Sequence, residues 1–284
     1  MTTILIILTV LILEYFYDDI KKYRGNEIIL KPYHLFQKKI GKNSFIDNKS
    51  KHTFVLLIFV LGLITMTVSS HISSFLYFII SLVFLSYSLR TNQYNKDIEE
   101  LKIKLEFKKD SIDKNLLFSI CPNLKQTKVK SDIYNLVIKN IFFNSIRNTF
   151  SVLFLFIFLG APAALAYKVL DCMIYTDGFK ISAKSKQELK EIMFYIDYLP
   201  VRLTSYTLSI VSNYDKVIDK INNLKLSNNN YLSNIEFINQ TGESIYNEME
   251  KDSDQIVQIQ NILARALIAW LGVISLLAVS GFFI

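Results

Sequence analysis

The sequence is poor in the residues that build disulfide frameworks and metal centres. Its 284 residues include two cysteines, Cys121 and Cys172, and three histidines. The thiols are isolated, and the histidines (His34, His52 and His71) lie in different segments without the spacing of metal ligands. Disulfide-stapled domains and zinc sites need such residues in sets. We therefore expect no disulfide framework, no metal site and no cofactor.

Signatures of nucleotide-binding and hydrolytic enzymes are also missing. The string nearest to a phosphate-binding loop is Ile-Gly-Lys-Asn at residues 40–43; Phe36 stands where the upstream glycine is needed, and no Ser or Thr follows Lys42. Glycines supply the positive φ angles that let backbone N–H groups surround a phosphate, so this string does not predict a nucleotide site. No serine elbow or dinucleotide fingerprint occurs, and no residue is predicted to be catalytic.

Charge is missing from long stretches of the chain. Residues 149–167 read TFSVLFLFIFLGAPAALAY, nineteen residues without a charge. A hydrocarbon core about 30 Å thick needs roughly 20 apolar residues in a helix, and lipid requires every backbone polar group to be paired within the segment. Four further runs have the same character: residues 1–17 (apolar except Glu14), 53–70, 72–89 and 266–284. Soluble core helices rarely show five such runs, so the sequence predicts an all-α, multi-pass transmembrane helix bundle of about five membrane segments in one domain.

Positive charge is concentrated in two loops between these runs. Residues 18–52 carry nine Lys or Arg against four acids, and residues 90–148 carry twelve against seven. The tip between the second and third runs, near His71, has neither Lys nor Arg. The positive-inside rule therefore places both basic loops in the cytoplasm and puts the tip and the N-terminus outside. The net charge of +7 is then a topology signal, and we expect no nucleic-acid partner.

Residues 170–264 form a long polar segment whose side of the membrane stays open. Inside it, residues 198–211 are apolar apart from Arg202, which is too short a run to span comfortably and predicts an interfacial, re-entrant or buried helix. Asp197 suits the N-cap of this helix, and Pro200 suits its first turn. Other patterns predict an amphipathic helix over 94–116, a polar helix over 214–226, and a final helix from about residue 252 that continues into the last apolar run.

Two features inside the apolar runs are candidates for a functional role. Glu14 is the sole acid within a predicted membrane segment; it is either an interfacial anchor or part of an ion pair in the bundle. Gly160 and the following Ala-Pro-Ala-Ala let helix backbones approach closely, and Pro162 is expected to kink the helix. Such a run either lines a site or serves ordinary bundle packing.

Three motifs in order along the chain resemble a known family. They are LGAPAALAYKVLDCM (159–173), LPVRLTSYTLSIVSNYD (199–215) and RALIAWLGVISLLAV (265–279). Together they resemble the AmpE family, bacterial inner-membrane proteins linked to β-lactamase induction and related to adenosylcobinamide-phosphate synthase. The resemblance implies a regulatory protein of the bacterial inner membrane, with a cell-wall fragment or a membrane signalling protein as partner. The matching positions are Gly160, Pro162, Tyr167, Lys168, Pro200 and Arg202.

The rival hypothesis is a membrane-bound ligase that resembles the synthase. This sequence departs from the enzyme pattern at Ala163, at Lys168 and in residues 170–173, which favours the AmpE side. The ligase would need a charged cytoplasmic face for its reactants, built from Arg147, Lys168, Asp171 and Arg202. Each residue has a plainer role: Arg147 and Lys168 as interface anchors, Asp171 as a solvated acid, and Arg202 as a snorkelling side chain.

Arg202 carries the most specific structural expectation. Burying an unpaired guanidinium costs several kcal/mol, so a cation in this apolar stretch needs water, headgroups or a carboxylate. We predict that Arg202 pairs with Asp171, or with Glu14 as second choice, and so docks the short helix. Simple snorkelling to the headgroups is the alternative.

Overall fold

The structure is a computed structural model of the whole chain. It describes residues 2–16, 25, 27–40, 50–90, 96–100, 130–176, 178–179, 181–224, 230–247 and 255–281. The chain divides into two compact units. Unit 1 is built from Met1–Arg90 and Val152–Tyr195, and unit 2 from Thr91–Ser151 and Ile196–Phe282.

Every regular element within the described ranges is helical. The helices are α1 (Thr2–Phe16), α2 (Glu27–Ile40), α3 (Ser50–Ile72), α4 (Ser74–Ser88), α5 (Lys130–Ser145), α6 (Ser151–Leu159), α7 (Ala161–Tyr175), α8 (Ala183–Val211), α9 (Tyr214–Asn222), α10 (Asn230–Tyr246) and α11 (Gln255–Val279). A π-helical segment, Ile146–Phe150, joins α5 directly to α6. The prediction of an all-α protein is confirmed for this part of the chain.

Three stretches among the described residues are long and apolar enough to cross a membrane. They are His52–Ile72, Val137–Leu159 and Gln255–Val279. These helices fit the predicted membrane protein. α1 and α4 are also apolar but have 15 residues each. At about 1.5 Å per residue such a helix is about 22 Å long, against about 30 Å of hydrocarbon, so the predicted number of five segments is not confirmed.

The apolar run 149–167 is not the single helix that the sequence predicts. It is divided at Gly160, whose φ of 83° is a conformation that glycine adopts at little cost. Pro162 lies in the first turn of α7, where its missing N–H is not needed. The proline therefore begins a helix instead of kinking one. The candidate span shifts to Val137–Leu159, and Arg147 lies inside it and not before it.

The apolar stretch 198–211 is not a separate helix either. It is the second half of α8, which begins at Ala183. Pro200 therefore lies inside a helix, and the predicted N-cap role of Asp197 is wrong. Proline removes the hydrogen bond to the carbonyl four residues earlier. The helix nevertheless continues on both sides of Pro200, as membrane helices with an internal proline also do.

The polar segments contain more helix than the sequence predicts. The first basic loop, 18–52, includes α2, and the second, 90–148, includes α5 and part of the π-helical segment. Of the predicted helix 94–116, residues 96–100 are helical and the others lie outside the described residues. The predicted polar helix over 214–226 is observed as α9. The final helix continues into the last apolar run from Gln255 onward, as predicted.

Unit 1 is organised around α7. Nearly the whole of this helix is buried, and it packs against α3 and α4. α3 approaches it at Gly62, where a Cβ atom would lie 3.0 Å from Cβ of Pro162. α1 packs on α4, and α2 packs on α3, where Tyr33 contacts the rings of Phe54 and Phe179. Small residues thus let α7 approach its neighbours closely.

In unit 2, α10 packs against both α5 and α9. At the first of these contacts Gly242 of α10 faces the fully buried ring of Phe142. α11 turns its buried side, which includes Trp270, toward the unit. The indole packs edge-on against Phe150 at a centroid distance of 5.3 Å and donates a hydrogen bond of 3.2 Å from Nε1 to Thr207 Oγ1 of α8.

Candidate functional site

Unit 1 contains a buried ion pair in the first of the three motifs, residues 159–173. Lys168 and Asp171 are one helical turn apart on α7, and Nζ lies 3.2 Å from Oδ2. The two side chains are 2% and 5% exposed. Burial makes both charges costly unless each is compensated, so the pair constrains the interior of unit 1. The interface-anchor role of Lys168 and the solvated role of Asp171 are both wrong, because both side chains are buried.

The remaining motif residues surround this pair along α7. Gly160 and Pro162 begin the helix, and Tyr167 is 2% exposed. Gly160 and Pro162 lie roughly two turns before Lys168. The small residues at this end of α7 serve close helix packing, since Gly62 of α3 approaches Pro162 there.

Glu14 is also buried in unit 1. It is 4% exposed and lies on the same side of α1 as Ile6, Ile7 and Val10, which are buried as well. This is the side that α1 turns toward its packing partner α4. Its burial fits the alternative of a charge held within the bundle better than that of an interfacial anchor.

Unit 2 has a second group of buried polar side chains, centred on the π-helical segment. Arg147 is 5% exposed; its Nη1 donates to Oδ1 of Asn144 at 2.8 Å, and its guanidinium lies 5.4 Å from the ring centroid of Phe143. π-helical turns are rare and occur frequently at functional sites. Arg147 therefore does not act as an exposed interface anchor.

The same group includes a hydrogen bond between distant parts of the chain. Ser151 donates from Oγ to Oδ1 of Asp197 at 2.7 Å, and both side chains are buried. Arg147 and Ser151 are four residues apart and so lie near one face of the helix. The bond joins the beginning of α6 to α8 within unit 2, which gives Asp197 a tertiary role in place of the N-cap.

Arg202 does not have the acidic partner that the sequence predicts. Its Nη1 donates to Oδ1 of Asn234 at 2.7 Å and to the carbonyl of Tyr198 at 3.0 Å. The guanidinium also lies 3.5 Å from the ring centroid of Tyr198 and 5.0 Å from that of Phe237. The pairing with Asp171 or Glu14 is therefore wrong, because a neutral amide and two aromatic faces take the place of a carboxylate. Arg202 instead connects α8 to α10.

This geometry predicts that Arg202→Lys lowers thermal stability nearly as much as Arg202→Ala. Lysine cannot stack a planar group on Tyr198 while it donates to Asn234, and we expect a loss of about 1–2 kcal/mol in either variant. The measurement is the unfolding temperature of purified protein in detergent. Arg265→Lys on the exposed side of α11 is the control, with no expected change. A lysine variant at position 202 that melts like the unmodified protein would support snorkelling instead.

Sequence reasoning missed three partners in unit 2, namely Asn144, Ser151 and Asn234. Two of them carried a local signal: Asn144, Arg147 and Ser151 recur at intervals of three and four residues, which is the spacing of one helix face. Asn234 had no such signal, because its role depends on the approach of α10 to α8.

The described residues include no metal-binding cluster and at least one small cleft. No three His, Cys, Asp or Glu side chains of this part of the chain cluster closely enough to hold a metal ion. A shallow cleft of about 170 Å³ in unit 2 is lined by Ile138, Lys139, Glu243, Tyr246 and Asn247. That volume is below the range of roughly 300–1,000 Å³ that holds drug-sized ligands.

The buried polar groups are the candidate functional feature of each unit. The resemblance of the motifs to the AmpE family stays a prediction. Comparison of the chain with protein-family models, with curated proteins and with solved structures finds no match.

Proposed function

We propose that this protein is a regulatory or signalling protein embedded in the bacterial inner membrane. The observation that carries the proposal is the candidate span Val137–Leu159, which holds Arg147 and a π-helical turn while most of it is buried inside the protein. Charged residues inside membrane helices are costly and mark functional sites by default. A polar group locked between packed helices suits a protein that transmits a conformational change.

The specific role we propose is the one that the AmpE resemblance implies, a part in the response to β-lactams or to cell-wall fragments. The placement of the first motif (159–173) supports it, since nearly all of its residues from Ala161 to Asp171 are buried. A partner would be a cell-wall fragment or a membrane signalling protein.

Deletion of the gene in its bacterial host tests this role. We expect altered β-lactam susceptibility, altered β-lactamase induction or an altered muropeptide profile, restored by the unmodified gene in trans. Unchanged results in all three measurements would contradict the proposal. A complementing copy with Asp171→Leu, which alters the buried pair, should fail to restore the phenotype.

We do not propose the ligase, because three of the four charged residues that it would use are buried. Arg147, Lys168 and Asp171 are at most 5% exposed. A charged corrinoid or nucleotide would need direct contact with such groups. Rescue of a synthase-deficient, cobalamin-dependent strain by this chain would favour the ligase over the regulatory protein.

The proposed arrangement includes five membrane segments, with α1 and α4 as short spans beside the three longer ones. It predicts that Lys38 and Lys108 face the cytoplasm and His71 faces outside, because Lys and Arg accumulate on the cytoplasmic side. Single cysteines at these positions, in a background without Cys121 and Cys172, can be labelled with an impermeant thiol reagent in intact cells. Lys38 and His71 are exposed, so a lack of labelling at either position would indicate the cytoplasmic side of the membrane and not a buried side chain.

Reaction at position 71 alone is the expected outcome, and reaction at 38 or 108 without 71 would invert the topology. Lys108 and Lys225 lie outside the described residues. A further cysteine at the exposed Lys220 of α9, together with one at Lys225, determines the side of the long polar segment.

A further inference from the structure

The second half of α8 has an apolar and aromatic outer face. Leu199, Leu203, Tyr206 and Ile210 are 49%, 42%, 45% and 70% exposed. Their spacing of four, three and four residues places them on one side of the helix. The face extends for about 16 Å along the axis. Contiguous exposed apolar surface of this kind marks an interaction with a protein, a ligand or a membrane.

None of these four outward-facing residues is charged. Residues 196–211 contain two charged side chains, Asp197 and Arg202. Asp197 is buried against Ser151, and Arg202 is covered by Tyr198 and bonded to Asn234. Asp197 is therefore turned inward, and the half-buried guanidinium of Arg202 is held by Tyr198 and Asn234.

The hydroxyl side chains of this half-helix are also withdrawn from the surface. Thr204, Ser205 and Ser209 are fully buried. Thr207 donates to the carbonyl of Leu203 and accepts the hydrogen bond of Trp270. An amphipathic helix at the membrane surface would turn its polar side to water, whereas this one turns its polar side into unit 2.

The position of Trp270 gives the depth of this face. Trp270 belongs to α11, a candidate membrane span, and lies nine residues, about 14 Å, before its end at Val279. The hydrogen bond from Trp270 places Thr207 at a level between the two ends of the candidate span α11. Leu203 and Ile210 lie within about one turn of Thr207 on α8. α11 also exposes apolar side chains, with Ile268, Val273 and Leu276 57–73% exposed.

From the bond between Trp270 and Thr207 and the apolar outer face of α8 we infer that residues 196–211 lie in the bilayer and that acyl chains of membrane lipids cover this face. α8 thus supplies a membrane segment beyond the five apolar runs of the sequence. The inference rests on the membrane location of α11 but not on the regulatory function.

Spin labels test the inference in the full chain without Cys121 and Cys172. Single cysteines at Leu203 and Ile210 are labelled with a nitroxide, and the protein is placed in phosphatidylcholine–phosphatidylglycerol vesicles. Leu276 on α11 is the lipid-facing reference, and Asp215 on α9, which is exposed, is the aqueous one. We expect labels at 203 and 210 to collide with oxygen as often as the label at 276, and several-fold less with a water-soluble nickel chelate than the label at 215.

Two other patterns would overturn the inference. Nickel accessibility at 203 and 210 equal to that at 215 would place the face in water. Low accessibility to both reagents would mean that a protein, such as a second copy of the chain, covers it. Failure of the label at 276 to behave as lipid-exposed would instead contradict the membrane location of α11.

A second measurement needs no substitution in α8. Vesicles that contain a lipid with a diazirine in its acyl chain are irradiated with the unmodified protein, and the adducts are mapped by mass spectrometry. We expect adducts on Leu199, Leu203 or Ile210 as well as on α11. Adducts on α11 without any in residues 196–211 would contradict the inference.

Discussion

Lys168→Met alone is expected to destabilise unit 1 by about 3–5 kcal/mol, the usual cost of removing one partner of a buried ion pair. Asp171 would keep its charge in an interior where the Lys168 ammonium, 3.2 Å away, no longer compensates it. The double replacement Lys168→Met with Asp171→Leu removes both charges, and we expect it to be close to neutral or stabilising. The single variant should therefore be much less stable than the double variant.

The buried thiol of Cys172, in the same helix, allows a direct measurement. A thiol-reactive dye in a background without Cys121 reports the temperature at which α7 becomes accessible. The exposed pair Glu27–Lys31 of α2, whose side chains are 80% and 78% exposed, is the matched control. Lys31→Met should change stability by less than about 1 kcal/mol. A Lys168→Met variant that melts like the Lys31→Met variant would show that the buried pair is not important for stability.

Gly242→Ala is expected to disrupt the contact between α10 and α5. A Cβ atom at position 242 would lie within 2.9 Å of Cγ and Cε2 of Phe142, whose side chain is fully buried and has no room to move away. Overpacking of this kind costs about 1–3 kcal/mol, and more where the backbone must shift. Thermal unfolding in detergent measures the loss.

Gly272→Ala on α11 is the matched control, because nothing lies within 4 Å of a Cβ atom there. Alanine favours helices by up to about 1 kcal/mol over glycine, so this variant should be neutral or slightly stabilised. Phe142→Leu should recover part of the loss in the Gly242→Ala background, since the two positions are in contact. Equal effects of the two alanine substitutions would contradict the packing argument.

The sequence was informative where structure depends on local composition. Long uncharged runs predicted an all-helical protein with membrane-spanning helices, and the final helix continues into its apolar run as expected. Helix formation follows from hydrophobicity along the chain, because an apolar segment must pair its own backbone groups. For the same reason the ends of helices were predicted less well. Gly160 and Pro162 suggested a kink within one helix. In the structure one helix ends at Leu159 and another begins at Ala161, which the continuous apolar run did not indicate.

The buried polar groups show where local reasoning stops. Lys168 and Asp171 are three residues apart on one helix, a spacing at which side chains can meet. From the sequence they were nevertheless interpreted as two separate surface residues. Ser151 and Asp197 are 46 residues apart, and Arg202 and Asn234 are 32 apart. No periodicity connects such positions, so Arg202 was assigned a carboxylate that it does not have.

The amino-acid sequence by itself thus determined the helical class and the membrane character of the protein, since both depend on how apolar residues are distributed along the chain. The tertiary structure decided which charges are buried, which helix each of them joins and which face of α8 stays apolar. Those properties depend on the side chains that approach from other helices. The free energy of a buried charge is set by these neighbours and not by its place in the sequence.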